Sequence, residues 1–478
     1  MKSQILKLQQ TLTKKPASIN PLLQQIDGAI NEHWSSNFLL KNTVEWAQAQ
    51  APKNRSKSPL NNIPFVLKDN IATKGIVTTG GSRFLEDYIP PFSATVFELL
   101  NNSGALLVGK ANLDEFGLGG TGLHSGFGFV HHPWNETLIP GGSSSGSAYA
   151  VARGIVPFSI GTDTGDSVRR PARICNIVGF KPTYGLISRN GVYPYAPSLD
   201  HVGIFARYVY DVALVSDEII KHDKADFSAQ KSPDAGKFTR SLKESFNKQI
   251  KIGYLKPLEE WFDIELSKKW NSLKERITLE GCELIPFHFP LELLEVIDPV
   301  YKLISYSEAV SCYSNLTGIV FGQKLFEPNQ ASDFSKTITA NRDRFFGEQL
   351  KRRFIIGAFG TDKNNFTKYF EKAQKIRRVM VDAYLNLFKE ADFIVSPSAS
   401  GFTKTIAAVQ KGESFTNLVD DFLQLANFAG NPSITIPWLV KQKDQTIGLS
   451  VNANCFHDKQ LLQVAAWLEE LFQIEHDD

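Results

Sequence analysis

An α/β fold, a layered sheet with helices against it and a helical insertion, is predicted for this 478-residue chain by three observations. Short apolar runs alternate with Gly-rich turns between residues 61 and 224. From 225 to 375 charged and aromatic residues recur at helical spacing. From 376 to 478 strand-like runs return. Strands and helices in alternation are the pattern of an α/β layered sheet. A chain this long exceeds the roughly 250–300 residues at which single cores stop growing, so a core plus an addition is expected.

Residues 1–60 read as an N-terminal helical segment and connector. Ile5, Leu8 and Leu12 give a short helix its apolar face. Asn20 is the expected cap of a second helix, with Pro21 at its first position. Leu22, Leu23, Ile26 and Ile30 are its expected buried stripe. Residues 47–62 are polar, contain Pro52 and Pro59, and read as a connector. Within 61–224, the runs 63–67, 105–108 and 156–160 are strand-like. Runs 92–101 and 147–153 are helical, and a further helix starts after Asp166. In 225–375, Phe366, Tyr369, Phe370, Ala373, Ile376 and Met380 share one helical face, which predicts a mainly helical, substrate-facing insertion. In 376–478 the strand signals are 393–395, 434–436 and 447–451. A last helix over 459–472 is striped by Leu461, Ala465, Leu468 and Phe472, with Asp458 as its expected N-cap.

Composition narrows the function. Apolar residues are 42% and charged residues 21%, ordinary for a soluble enzyme. The 52 basic and 50 acidic residues leave a formal charge of +2, which lacks the basic excess of a nucleic-acid binder acting alone. Cys175, Cys282, Cys312 and Cys455 are far apart, so neither a zinc cluster nor a disulfide framework is expected. Residues 1–10 carry no apolar signal run, and nothing approaches the ~20 apolar residues of a membrane span. A cytoplasmic protein is expected, with no membrane partner and no metal.

Three local motifs are weak. Gly117 to Gly122 spells GxGxxG, but residues 112–116 before it are not strand-like, so it reads as a Gly-rich loop. Gly142 to Gly146 matches GxSxG around Ser144, but Pro140 stands where an elbow needs a strand. His131-His132 has no acidic cluster nearby and reads as structural.

A stronger constellation joins Lys68, Ser143 and Ser167. Lys68 and the segment 161–167 each follow a predicted strand, and strand ends in α/β proteins open on a shared crevice. A serine hydroxyl attacks an amide poorly until a base takes its proton. A desolvated lysine with a pKa near roughly 7–8 is such a base, and a second serine can relay the proton. Backbone N–H groups of Thr164, Gly165, Asp166 and Ser167 are then placed to hold an oxyanion. Taken singly, each residue has a plainer reading: a salt-bridged or surface lysine, a turn serine, and a serine capping the next helix.

The run Gly141-Gly142-Ser143-Ser144-Ser145-Gly146-Ser147 resembles the start of the amidase signature. Residues 161–172 resemble its centre and 178–185 its continuation. The resemblance implies a mixed central sheet covered by helices on both faces, and a Ser-cisSer-Lys triad of Lys68, Ser143 and Ser167. Segments 112–116, 198–203, 347–353 and 372–377, and Asp420 with 427–430, resemble the A subunits of glutamyl-tRNA(Gln) amidotransferases. For those the resemblance implies hydrolysis of glutamine to glutamate and ammonia. It implies no cofactor on this chain. ATP, with Mg2+, is used by the whole complex. The B and C subunits of that heterotrimer are the implied partners, with misacylated tRNA(Gln) bound mainly through the former. The resemblance also implies that Arg352 or Arg353 holds the glutamine α-carboxylate and Asp420 its α-ammonium, matching a guanidinium fork to a carboxylate and a carboxylate to an ammonium. The alternatives are a stand-alone amidase and a noncatalytic assembly component.

The chain departs from the family pattern at several positions. Asp166 stands where a glycine is usual before the nucleophile, and its carboxylate is expected to pair with Arg169 or Arg170 rather than face the oxyanion. Ser145 replaces a usual glycine. Residues 121–124 and Ile204-Phe205 also differ from the expected pattern.

Overall fold

The computed structural model describes residues 2–51, 56–244, 246–325 and 333–472. Its eleven described strands form one sheet in the order β1-β3-β2-β4-β6-β5-β10-β11-β9-β7-β8. In chain order they are β1 (Leu39–Asn42), β2 (Pro64–Lys68), β3 (Leu106–Ala111), β4 (Phe158–Asp163), β5 (Val178–Lys181), β6 (His201–Ala206), β7 (Lys251–Leu255), β8 (Glu283–Phe287), β9 (Phe393–Pro397), β10 (Ser433–Gln442) and β11 (Gln445–Ala453). β2 runs parallel to β3 and β4, and β7 parallel to β8 and β9; the other pairs are antiparallel. The sheet is therefore mixed.

Both faces are covered. On β2, Phe65 and Leu67 join one apolar cluster while Val66 joins another. That is the two-residue alternation of a strand buried on both sides. The first cluster takes in helices Val209–Ile219 and Asp458–Phe472; the second takes in Ser145–Ala152 and Arg169–Ile174. A third cluster gathers the helices Ile297–Cys312, Glu348–Thr361 and Lys372–Leu387.

Several boundaries differ from the sequence reading. The second helix is Ile19–Glu32, so Asn20 lies inside it and does not cap it. A 3-10 turn beginning at Pro16 leads straight into that helix, which moves its start upstream. Leu23, Ile26 and Ile30 are buried as expected, while Leu22 is half-buried. The connector begins only after a helix at Val44–Gln50, and its residues 52–55 lie outside the described residues. Asp458 is the first residue of the last helix; its carboxylate accepts instead from Thr183 N (2.8 Å) and Oγ1 (2.6 Å). Residues 225–375 also contribute β7 and β8, which extend the main sheet beyond β9.

Among the described residues no helix is long and apolar enough to cross a membrane. None of their His, Cys, Asp and Glu side chains form a group of three that could hold a metal ion.

Candidate active site

Parallel pairing of β2 with β4 brings their C-terminal ends to one edge of the sheet. Lys68 closes β2 there. Thr162 and Asp163 close β4 and lead into residues 164–167. The glycine-serine turn runs into the helix Ser145–Ala152, which lies on β4.

Lys68 is fully buried, and its Nζ donates to Ser143 Oγ and to Thr162 Oγ1, both at 2.8 Å. Asn70 Nδ2 donates to the same threonine oxygen at 3.1 Å. Among the described residues the lysine thus meets hydroxyls and pairs with no carboxylate, unlike a salt-bridged or surface lysine. Burial lowers its pKa from 10.5 to about 7, although Asp114, Asp163 and Asp200 pull it upward.

The Gly142–Ser143 peptide is cis. A Cβ on Gly142 would lie 2.1 Å from Asp114 Oδ2, so only glycine fits. Asp114 accepts from the N–H groups of Gly122 (3.0 Å) and His124 (2.9 Å), and its own N–H donates to Ser143 O (3.2 Å). The glycine loop 117–122 is therefore scaffolding for this turn. Ser144 Oγ donates to Thr162 O at 3.0 Å, and Ser147 Oγ to Ile160 O at 3.0 Å. Both hydroxyls tie helix to strand, which removes Ser144 as an elbow nucleophile. His132 likewise serves a turn, its Nδ1 accepting from Trp134 N and Asn135 N, each at 3.1 Å.

Ser167 precedes the helix Arg169–Ile174 and is buried. It does not cap that helix, whose entry is held by Asp163 Oδ2 accepting from Val168 N at 3.0 Å. The N–H groups of Thr164, Gly165, Asp166 and Ser167 meet no acceptor among the described residues. The carbonyl of Gly165 is drawn away by Arg169 Nη2 at 2.6 Å, and Thr164 Oγ1 donates to Asp200 Oδ1 at 2.6 Å. Asp163 and Arg169 pair at 3.0 Å with both side chains buried. Burial pushes the Asp163 carboxyl up, but Arg169, Lys181 and the Val168 N–H together outweigh it and hold the group well below the usual carboxylate range. Asn427 donates to Asp163 Oδ1 at 2.9 Å and accepts from Arg169 Nη2 at 2.6 Å, which explains the presence of the 427–430 motif near the loop.

Asp166 pairs with Arg170 one helical turn on, not with Arg169, which Asp163 already occupies. The two arginines differ at the other expected site too. Arg352 is exposed, whereas Arg353 turns inward, its guanidinium 5.0 Å from the Tyr306 ring and its buried Nε without a partner among the described residues. Successive helix residues point about 100° apart, so only one of the pair can face the core. Arg353 is the one of the two that turns inward. Asp420 is buried and engaged by Arg173 Nη2 at 3.1 Å. Beside it, burial and the carboxylates Asp298 and Asp420 raise the Asp421 pKa to about 8.

Thr162, Tyr301 and Arg173 also border these residues, and none is an expected site residue from the sequence. A Cβ on Gly165 would come within 2.9 Å of the Tyr301 ring, so that side chain roofs the 164–167 loop. Tyr301 lies in an ordinary amphipathic helix and carries no signal in the sequence, whereas Thr162 lies inside the 161–167 motif. A cavity of about 480 Å³ lined by Arg189, Pro197, Asp200 and Phe227 includes none of the three central residues.

The amidase family profile matches residues 17–462. The glutamyl-tRNA(Gln) amidotransferase A subunit of Mycoplasma genitalium is 68% identical over 477 residues, covering 100% of both chains. That of Prochlorococcus marinus is 36% identical over 421 residues, covering 87% of this chain and 85% of its own. The crystal structure of the Thermotoga maritima A subunit superposes with a TM-score of 0.76 at 28% identity, covering 95% of this chain and 92% of that one. A 6-aminohexanoate cyclic dimer hydrolase shares the fold, with a TM-score of 0.81 at 21% identity over 98% of this chain and 97% of its own. From sheet to signature loops and over nearly its whole length, this chain belongs to the amidase family, as a close relative of glutamyl-tRNA(Gln) amidotransferase A subunits.

Proposed function

We propose that this chain is the glutaminase subunit of a tRNA-dependent amidotransferase, with Ser167 as nucleophile and Lys68 as base acting through Ser143. The observation that carries the reading is the dry 2.8 Å contact between Lys68 Nζ and Ser143 Oγ, at the sheet edge where the 164–167 loop begins. A neutral amine there accepts the Ser143 proton as Ser143 accepts the proton of Ser167. Ser167 Oγ adds to the carboxamide carbon of glutamine, and the N–H groups of 164–167 hold the oxyanion. Collapse breaks the C–N bond. The proton returns through Ser143 to the departing nitrogen, leaving ammonia and a glutamyl ester. Water, deprotonated by the same route, then releases glutamate and restores Ser167.

Arg353 holds the α-carboxylate, and Asp420, shared with Arg173, holds the α-ammonium. Ammonia passes to the B subunit, where ATP activates the side-chain carboxylate of glutamate on tRNA(Gln); the C subunit holds the other two together. The test is glutamine hydrolysis by the reconstituted complex. Ser167→Ala should abolish ammonia release, and quenched wild-type enzyme should carry the glutamyl group on Ser167. An adduct found reproducibly on another residue rejects the assignment.

A further inference from the structure

Asp114 and Glu115 are adjacent buried carboxylates that face different parts of the site. Asp114 organises the Ser143 turn, as described above. Glu115 reaches the opposite way: its Oε1 accepts from Ser82 Oγ at 2.5 Å, and its Oε2 accepts from the N–H of Gly347 at 2.9 Å. Gly347 is the N-cap position of the helix Glu348–Thr361 and offers no side chain of its own for the cap. The first N–H groups of a helix need an outside acceptor, and a side-chain carboxyl oxygen can serve as one. Here it comes from a residue 232 positions away in sequence. The fit is close, since a Cβ on Gly347 would lie 2.7 Å from Glu115 Oε2. Aromatic rings close round the contact: Phe84 stands 4.7 Å from Phe346, Phe116 4.3 Å from Tyr313, and Phe346 5.5 Å from Phe354. The helix so anchored carries Arg353 on its inner side.

We infer that Glu115 is a positioning residue for substrate recognition, fixing the span between Arg353 and the Ser143 turn by clasping the helix start to the loop that holds that turn. The inference rests on the reading of Arg353 as the α-carboxylate ligand. The span between Arg353 and the serines selects an amide by the distance from its carboxylate to its carboxamide. A displacement of about 1 Å at such a contact is enough to lower turnover markedly.

The reconstituted complex is assayed with glutamine and with 4-aminobutanamide, the same amide without its α-carboxylate. Glu115→Gln should raise KM for glutamine about tenfold with a smaller change in kcat, and should lower the preference for glutamine by the same factor. Ser82→Ala, which removes one donor to Glu115 and leaves Glu115 itself in place, should lower that preference about threefold. If Glu115→Gln is not recovered folded, Ser82→Ala decides. An unchanged preference, or an equal loss for both amides as a merely structural role would give, overturns the inference. Arg353→Ala separates the two claims. If it lowers the preference while the clasp variants do not, only the clasp falls; if it leaves the preference intact, the reading of Arg353 falls first.

Discussion

Lys68 is held by two hydroxyls in a dry site, and that environment decides its protonation. Its folded pKa of about 7 lies below the ordinary 10.5, so the neutral, working form is populated as pH rises through about 7. Glutaminase kcat should climb through that pH and level off above it; a flat kcat–pH profile from 6 to 8.5 would contradict the base assignment, given the usual reach of such titrations of about one unit either side. The same shift opposes folding. Below pH 10.5 the unfolded chain binds a proton that the folded site refuses, and this cost grows until the folded pKa is reached. Lys68→Met should therefore lose acylation yet melt higher than wild type, by roughly 2–4 °C at pH 7.5. Asp166 poses the opposite problem, a carboxylate next to the oxyanion donors, and Arg170 neutralises it. Arg170→Ala should reduce kcat by on the order of a hundredfold. Adding Asp166→Gly should restore most of the loss, a non-additivity expected of paired residues.

Between β4 and the helix Arg169–Ile174, geometry is set by the buried Asp163–Arg169 pair and its hydrogen bonds. Asp163 receives Arg169, Asn427 and Val168 N, so three donors to one carboxylate agree on the path of the 164–167 loop. Replacing Arg169 by Met leaves a buried carboxylate without its cation and should cost about 3–5 kcal/mol in denaturant unfolding. Wild-type stability in that variant would show that the Asp163 carboxylate does not depend on its cation. Most elements at this scale were legible before the fold was known. The strand runs at 63–67, 105–108 and 156–160 fall in β2, β3 and β4 or overlap them, because buried parallel strands read as continuous apolar runs. Caps were less legible. Asn20 and Asp458 have capping chemistry, but a Pro16 turn pre-empts the first and Thr183, far away in sequence, takes the second.

At the scale of the whole molecule, the proposed function gives proton transfer to Lys68 and Ser143 and the ATP step to a partner. Chelation of divalent metal should therefore stop amide transfer to tRNA by the complex while leaving glutamine hydrolysis by this chain within about twofold of its starting rate. Loss of both activities together would show that the glutaminase step also needs the metal. The alternation of apolar runs was enough to indicate an α/β fold, and the resemblance of 141–147 and 161–172 to the amidase signature was what pointed to an amide hydrolase. Those signals are local: hydrophobic periodicity and the chemistry of a glycine-serine turn lie within a few residues of one another. Which arginine turns inward, Arg353 rather than Arg352, and which one neutralises Asp166, Arg170 rather than Arg169, came only with the packed chain. So did the capture of Asp420 by Arg173 and the addition of β7 and β8 to the sheet. Each of these depends on which side of a helix or strand meets a packed neighbour, from one helical turn away for Arg170 to 247 residues away for Asp420, and burial there, not residue type alone, selects the partner.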